Sequence, residues 1–178
     1  IEQVIAGSGG VSLIQLFDHC ATAMGSRQLA RWLRDPVRNQ NELKQRHDAI
    51  DELSHDTIGE TLRADLRQIG DIERIIARVA LGSARPHDLL RLRQGLALLP
   101  AIEQGLQNRI SKRLRELAVD CQRQPDLQQL LERAIQDEPS TQLREGDVIR
   151  DGYHLELDEL RRLNEDSGAF LLKLESDE

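Results

Sequence analysis

The stretch Asp71–Pro100, DIERIIARVALGSARPHDLLRLRQGLALLP, encodes two amphipathic helices and the turn between them. The first helix has apolar residues that recur at helical spacing: Ile72, Ile75, Ile76 and Val79. Gly82 supplies the backbone freedom that ends a helix, and Pro86 suits the first position of the next one. The second helix has leucines spaced as an a/d packing seam: Leu89, Leu92, Leu96 and Leu99. The stretch therefore predicts two packed helices and no strand.

Most of the remaining chain shows the same helical period, so the predicted fold class is all-α, an irregular multi-helix bundle. Thr22 suits the N-cap of a helix that Asp35-Pro36 stops, and Asn39 or Asn41 could cap the helix after it. That next helix is expected to bury one face, which consists of Leu43, Arg46, Ile50 and Leu53.

The helical period breaks near residues 141–150, where Glu-Gly and Asp-Gly turn signals flank short runs that can form strands. This pattern is compatible with a small β-hairpin. The period then resumes without a stop signal, which predicts a long C-terminal helix. The predicted organisation is a helical core domain at 1–139, a turn or short hairpin at 140–153, and the start of the long helix at 154–178.

Composition limits the functions that the chain can carry. Of its 178 residues, 39% are hydrophobic, 31% are charged and only 2% are aromatic, and the net charge is −7. Proteins that bind nucleic acid by themselves usually have a basic surface or aromatic stacking platforms, so these residues are not expected to be the main DNA contact surface. Two distant cysteines, Cys20 and Cys121, form no disulfide framework or metal pair and indicate a reduced, cytoplasmic protein. No apolar run is long enough for a membrane span.

Histidine–aspartate dipeptides are the strongest enzymatic signal. They occur as Asp18-His19, His47-Asp48, His55-Asp56 and His87-Asp88. An imidazole and a carboxylate can bind a divalent cation together, so a helical metal-dependent phosphohydrolase is the alternative function, with His47, Asp51 and His55 on one helix face. With 31% charged residues, however, such adjacency is expected by chance, and helix ends or amphipathic faces explain the same residues.

The remaining candidates have ordinary structural explanations. The GSGG loop at 7–10 lacks the lysine and the flanking strand of a phosphate-binding loop. Cys20 has no neighbouring group that would clearly activate its thiol. Asp71 and Glu73 have capping and solvation roles available, and three arginines share a helix side that suits a solvated face or an interdomain salt bridge: Arg27, Arg31 and Arg34. The residues alone therefore assign no catalytic residue, no cofactor-binding residue and no metal ligand.

The stretch LIQLFDHCATAMGSRQLARWLRDPV, residues 13–37, resembles the start of the core, or lever, domain of the MutS family of DNA mismatch repair proteins. The matching positions are Leu16, Asp18, Cys20, Thr22, Met24, Gly25, Arg27, Leu29, Trp32, Leu33 and Pro36. Three later segments follow the family pattern in the same order: ELKQRHDAIDEL, GDIERIIARVALGSARPHDLLRLRQGLALLP and REGDVIRDGYHLELDELRRL. By this resemblance the chain is identified as a fragment of a bacterial MutS protein, which its start at Ile1 rather than Met also suggests. His47 replaces a usually apolar family residue and is expected to pack.

The resemblance implies a mechanical role. MutS proteins form a dimer that clamps mismatched double-stranded DNA, inserts a Phe-x-Glu wedge, hydrolyses ATP with Mg in a P-loop domain and works with a MutL-type partner. Neither Phe-x-Glu nor G-x-x-x-x-G-K-[ST] occurs in this chain. The implied role is a non-catalytic lever that couples the DNA-dependent ATPase domain to the clamp and mismatch-recognition domains. No cofactor and no specific DNA binding are expected for the chain by itself.

Overall fold

The computed structural model describes residues 12–121 and 124–164, and their regular structure is helical. The α-helices are α1 Leu13–Phe17, α2 Ala23–Arg34, α3 Gln40–Ser54, α4 Ile58–Gln68, α5 Ile72–Ala80, α6 Pro86–Gln107, α7 Lys112–Asp120 and α8 Pro125–Ala134. A 3-10 helix follows at Leu143–Glu145, and residues 155–164 are helical again. The predicted all-α fold class is confirmed. The GSGG loop and the predicted continuation of the last helix to residue 178 lie outside the described residues.

Local sequence signals set several helix ends. The Thr22 hydroxyl accepts a hydrogen bond from the Gly25 amide at 3.0 Å and so caps α2. The Asn39 side chain accepts hydrogen bonds from two amides at the start of α3, one of them that of Asn41. Asn39 is therefore the cap, rather than Asn41. Gly82 follows α5 with a φ of +64°, the left-handed conformation that its sequence position predicts.

Helix α6 is the central element of the fold. It contains 22 residues, which corresponds to a length of about 33 Å. Pro100 lies inside it, and the helix continues to Gln107 although proline removes one backbone hydrogen bond. Packing on both sides of Pro100 compensates, because Leu96 is buried in one hydrophobic core and Ile102 in another. Neither α6 nor any other described helix is long and apolar enough to cross a membrane.

The buried apolar residues form two cores on different parts of α6. The first core joins α6 with α3, α4 and α7, and its buried residues are Ala49, Leu62, Ile102, Leu106, Leu114 and Ala118. The second core joins α6 with α5, α8 and the residue after α8, and its buried residues are Ile75, Leu92, Leu96, Leu131, Ala134 and Ile135. Leu89 and Leu99 also pack against the second core, so the predicted leucine seam is confirmed.

The helices accordingly divide into two groups on a shared axis. Helix α3 packs on α4 and α7, which both pack on α6, and we call this group the α7 half. Helices α5 and α8 pack on α6 and form the α8 half. In the described part of the chain, no helix of one half packs extensively on a helix of the other. The two cores approach each other at Gly95, where a β-carbon would lie 3.5 Å from Ile72 and 3.6 Å from Ile69.

The segment whose sequence is compatible with a β-hairpin does not form one. Residues 141–150 contain a 3-10 turn instead of two paired strands, and Ile149 makes an isolated antiparallel bridge with Ile135. Val148 and Ile135 are buried, so burying these side chains outweighs strand pairing across the turn. The turn itself is correctly indicated, because Gly146 has a positive φ of 80°.

Helix α3 partly buries three of the four residues on the predicted face: Leu43, Arg46 and Leu53. Ala49 is buried and Leu53 packs on the first core, whereas Ile50 is 61% exposed. The short side chain of Ala49 faces the neighbouring helices, and Ile50 faces solvent. His47, expected to pack, is exposed. The predictions for Ile50 and His47 are therefore wrong.

Candidate functional site

The histidine–aspartate pairs lie at separate points of the fold, and three of their aspartates have structural partners. Asp56 accepts a hydrogen bond from the Arg109 side chain, and Asp88 accepts one from the Arg85 amide at 3.0 Å. Asp18 accepts a hydrogen bond from a serine hydroxyl of α2 at 3.0 Å. Among the described residues, no group of three or more His, Cys, Asp and Glu side chains could hold a metal ion.

The helix face with His47, Asp51 and His55 makes only local contacts. The Nδ1 atom of His55 lies 2.8 Å from the Asp51 carbonyl oxygen and 3.6 Å from its carboxylate. His55 is the C-cap residue of α3, so its ring contacts the last turn of its own helix. This arrangement is a helix end, and no observation favours the metal-dependent phosphohydrolase.

An acidic groove of about 640 Å³ lies between α3 and the start of α7. The Glu52 carboxylate in its wall accepts hydrogen bonds from the amides of Ile110 at 3.0 Å and Ser111 at 2.7 Å. These two hydrogen bonds hold the pKa of Glu52 below its usual value. Because Ser111 is the N-cap residue of α7, the carboxylate also lies at the favourable end of the helix dipole. Glu52 therefore joins α3 to α7 and serves packing.

Charged residues from distant parts of the sequence form hydrogen bonds where α2 approaches α5. Arg27 Nη1 and Nη2 donate hydrogen bonds to the two carboxylate oxygens of Asp71 at 2.9 and 2.7 Å. Arg27 Nε and Nη2 donate to one oxygen of Glu73 at 3.0 and 2.5 Å. Asp71 also caps α5 by accepting a hydrogen bond from the Arg74 amide at 3.3 Å. We call this set the Arg27 cluster; the planar guanidinium is held by both carboxylates.

The Arg27 cluster joins an arginine and two carboxylates close to solvent. Hydrogen bonds from Arg27 lower the pKa of Asp71, and both carboxylates raise the pKa of Arg27. The Arg27 side chain is 31% exposed, so water and salt weaken its attraction to Asp71. The partners are 44 and 46 residues away in sequence, so only the packing of α2 near α5 brings them together.

The corner between α1 and α2 is less buried than its crowded sequence suggests. Ala30 is the buried residue of α2, and Trp32 is 43% exposed. The guanidinium carbon of Arg46 lies 4.2 Å from the Trp32 ring centroid, a cation–π contact that attaches α2 to α3. Gly25 permits a close approach within the corner, because a β-carbon there would lie 3.2 Å from Cβ of Cys20. The corner is a joint held by few contacts.

An apolar cavity of about 450 Å³ lies beneath this corner, among α3, α4, α6 and α7. Both Cys20 and Cys121 line it, and both are free thiols. Burial raises the pKa of each thiol, which keeps it protonated at neutral pH. Arg63 also lines the cavity, and its guanidinium donates a hydrogen bond to the carbonyl oxygen of His19 at 2.6 Å. These contacts attach the corner to α4 and activate neither thiol.

A comparison with known protein families identifies this arrangement of helices. The family model described as MutS domain III matches residues 1–176, which is nearly the whole chain. The match includes the corner, both cores and the segment after α8, so it confirms the resemblance over the whole described structure. The chain therefore belongs to the MutS family of DNA mismatch repair proteins, as the helical core domain III of such a protein.

Proposed function

We propose that this domain is a non-catalytic lever that couples the ATPase domain of its MutS protein to the domains that clamp DNA and recognise the mismatch. The central position of α6 is the observation that supports this role. Each helix from α3 to α8 either lies on α6 or packs on a helix that does. A displacement at one end of α6 is therefore carried to the other by packed elements, as rigid-body or hinge motion.

The surface charges support an indirect role in DNA handling. The chain has a net charge of −7, which opposes binding to the phosphate backbone. Three arginines from different parts of the fold are paired with carboxylates: Arg27 on α2, Arg93 on α6, and Arg109 between α6 and α7. Cationic side chains that brace the fold in this way contribute little to phosphate contacts. The domain is suited to positioning other domains on DNA.

In the whole protein, ATP and Mg are expected to bind outside this chain. The expected partners are mismatched double-stranded DNA, a second MutS subunit and a MutL-type repair protein, and the expected location is the cytoplasm. These expectations rest on family membership and on the absence of the wedge and P-loop motifs from the sequence.

The test interrupts the mechanical path without changing either core. In the full-length protein, flexible Gly/Ser residues of about two helical turns (roughly seven residues) are inserted between Leu163 and Asn164. This position lies in the last described helix, at 155–164. Basal ATP hydrolysis is expected to persist, whereas the change in ATP turnover on adding mismatched DNA is expected to be lost.

The matched control is an insertion of the same length built from strong helix formers, which keeps the helix stiff and its faces in register. It is expected to retain most of the response to mismatched DNA. The lever proposal is refuted if the flexible insertion leaves that response as large as the helical insertion does. Circular dichroism of both proteins checks that the helical content is intact.

A further inference from the structure

Helix α6 is weakest where it passes from one core to the other. Gly95 has greater backbone freedom than any other residue type inside a helix. Pro100 has no amide hydrogen, so the Leu96 carbonyl cannot accept its usual helical hydrogen bond. Leu96 belongs to the second core and Ile102 to the first. Pro100 therefore falls between Leu96 and Ile102, and Gly95 lies where Ile69 and Ile72 of the two cores approach α6.

Few other contacts resist a rotation of one half against the other. The chain crosses between the halves after α4 and again after α7. At the first crossing Gly70 lies against α6, where a β-carbon would be 3.3 Å from Cβ of Arg91. Within the described residues, neither α5 nor α8 packs extensively on α3, α4 or α7. The two halves are therefore held together mainly through α6.

The Arg27 cluster is a side-chain contact that spans the two halves. Arg27 is on α2, which is attached to the α7 half through the contact between Trp32 and Arg46 of α3. Its partners Asp71 and Glu73 lie at the start of α5, in the α8 half. A rotation of the α8 half about α6 changes the distance between Arg27 and these carboxylates.

We propose that residues 95–100 of α6 form a hinge between the α7 half and the α8 half, and that the Arg27 cluster is a latch that holds the hinge closed. In the closed conformation the guanidinium engages both carboxylates of α5. Opening exchanges these hydrogen bonds for water, and the partial exposure of the cluster makes that exchange readily reversible. The hinge does not depend on the lever role, because a domain can bend whether or not its motion is coupled to ATP.

Distances between spin labels measure the hinge directly in this chain. Cys20→Ala and Cys121→Ala first remove the native thiols. Labels at Lys44→Cys on α3 and Gln129→Cys on α8 occupy exposed positions and report the distance across the halves. Labels at Lys44→Cys and Asp120→Cys on α7 form the control pair within the α7 half.

Releasing the latch is expected to change only the distance across the halves. Arg27→Gln removes the positive charge and the guanidinium hydrogen-bond donors. The distribution of Lys44–Gln129 distances should therefore shift and widen, while the distribution of Lys44–Asp120 distances should not change. Arg31→Gln, an exposed arginine on the same helix, is the matched control and should leave both distributions unchanged. If Arg27→Gln does not fold, the native Arg27 cluster can be weakened with 1 M salt, where the Debye length is about 3 Å.

Stiffening α6 is expected to have the opposite effect. A β-carbon at Gly95 would lie at ordinary contact distances from Ile72 and Ile69, so Gly95→Ala should be accommodated without steric clash. The added stiffness should narrow the distribution of distances across the halves. Gly105→Ala lies on the same helix beyond the hinge, and its β-carbon would lie 3.2 Å from Ile58 inside the α7 half, so it should leave the distance distribution across the halves unchanged. The hinge proposal is contradicted if the distribution of distances across the halves is as narrow as that of the control pair and does not change with Gly95→Ala, with Arg27→Gln or with salt.

Discussion

Replacing Ile75 with alanine is expected to destabilise the domain far more than the same change at its neighbour Ile76. Ile75 is 1% exposed in the second core, whereas Ile76 is 55% exposed. Alanine lacks three of the side-chain carbons, and at ~0.8 kcal/mol each their lost burial costs about 2.4 kcal/mol. The remaining cavity adds up to roughly 2 kcal/mol, because packed helices relax only partly. The free energy of unfolding should therefore fall by about 3–4 kcal/mol.

Urea unfolding followed by circular dichroism measures this loss, and Ile76→Ala should lose less than about 1 kcal/mol. Amide hydrogen exchange shows where the loss occurs. Helices α5 and α8 should lose protection first in Ile75→Ala, because the α7 half keeps its own core. Equal losses for Ile75→Ala and Ile76→Ala would refute the burial argument. A uniform loss of protection across all helices would refute the division into two cores.

Other substitutions and conditions test single contacts. Gly59→Ala should lower the free energy of unfolding by about 1–3 kcal/mol, because a β-carbon there would lie 2.6 Å from the Leu53 carbonyl oxygen. Gly95→Ala should instead raise the free energy of unfolding by about 0.5–1 kcal/mol. Glu52→Gln weakens the cap of α7, so amide exchange should become faster at the start of α7 but not in α5. The folded-state pKa values of Glu52 and Asp71 are lowered. The stability that these carboxylates contribute is therefore present at neutral pH and is lost as the pH falls below about 4. Urea unfolding midpoints at about pH 7 and about pH 3 measure this loss. The chain alone should hydrolyse no ATP and should not prefer mismatched duplex in a gel shift.

Each of these tests has a contrary result. Gly59→Ala as stable as Gly95→Ala would contradict the close approach at Leu53. Unchanged exchange at the start of α7 in Glu52→Gln would mean that the carboxylate does not cap that helix. A urea midpoint that rises on acidification would contradict the lowered pKa values. A shifted band selective for mismatched DNA would show that the chain contacts DNA by itself.

Helix ends could be predicted from the sequence because each depends on a few neighbouring residues. The family could be predicted because its motifs occur in the same order along most of the chain. A cap needs only a side chain and amides a few residues away, which is why Thr22 and Gly82 were identifiable and the next cap was narrowed to Asn39 or Asn41. The leucine seam is visible because one helix shows its own period. Ordered motifs over most of the chain carry the resemblance to MutS, and the family match at 1–176 confirms it.

Contacts between distant segments could not be predicted in the same way. Arg27 and Asp71 are 44 residues apart, and Glu52 and Ser111 are 59 residues apart. The sequence of a single helix does not indicate which of its surfaces a neighbouring helix will cover. The sequence therefore suggested only solvation and capping for Asp71 and Glu73. The exposed Ile50 has the same cause, since the approach of α4 and α7 to Ala49 decides the buried face of α3.

We expect the domain to transmit motion by bending between the two packed halves joined by α6. Spin-label distances in the full-length protein test this expectation, with labels at Lys44→Cys and Gln129→Cys across the halves and at Lys44→Cys and Asp120→Cys within one half. ATP binding is predicted to shift the distance across the halves and to leave the distance within the α7 half unchanged. A distance across the halves that is the same without nucleotide and with ATP would rule out transmission by bending at α6.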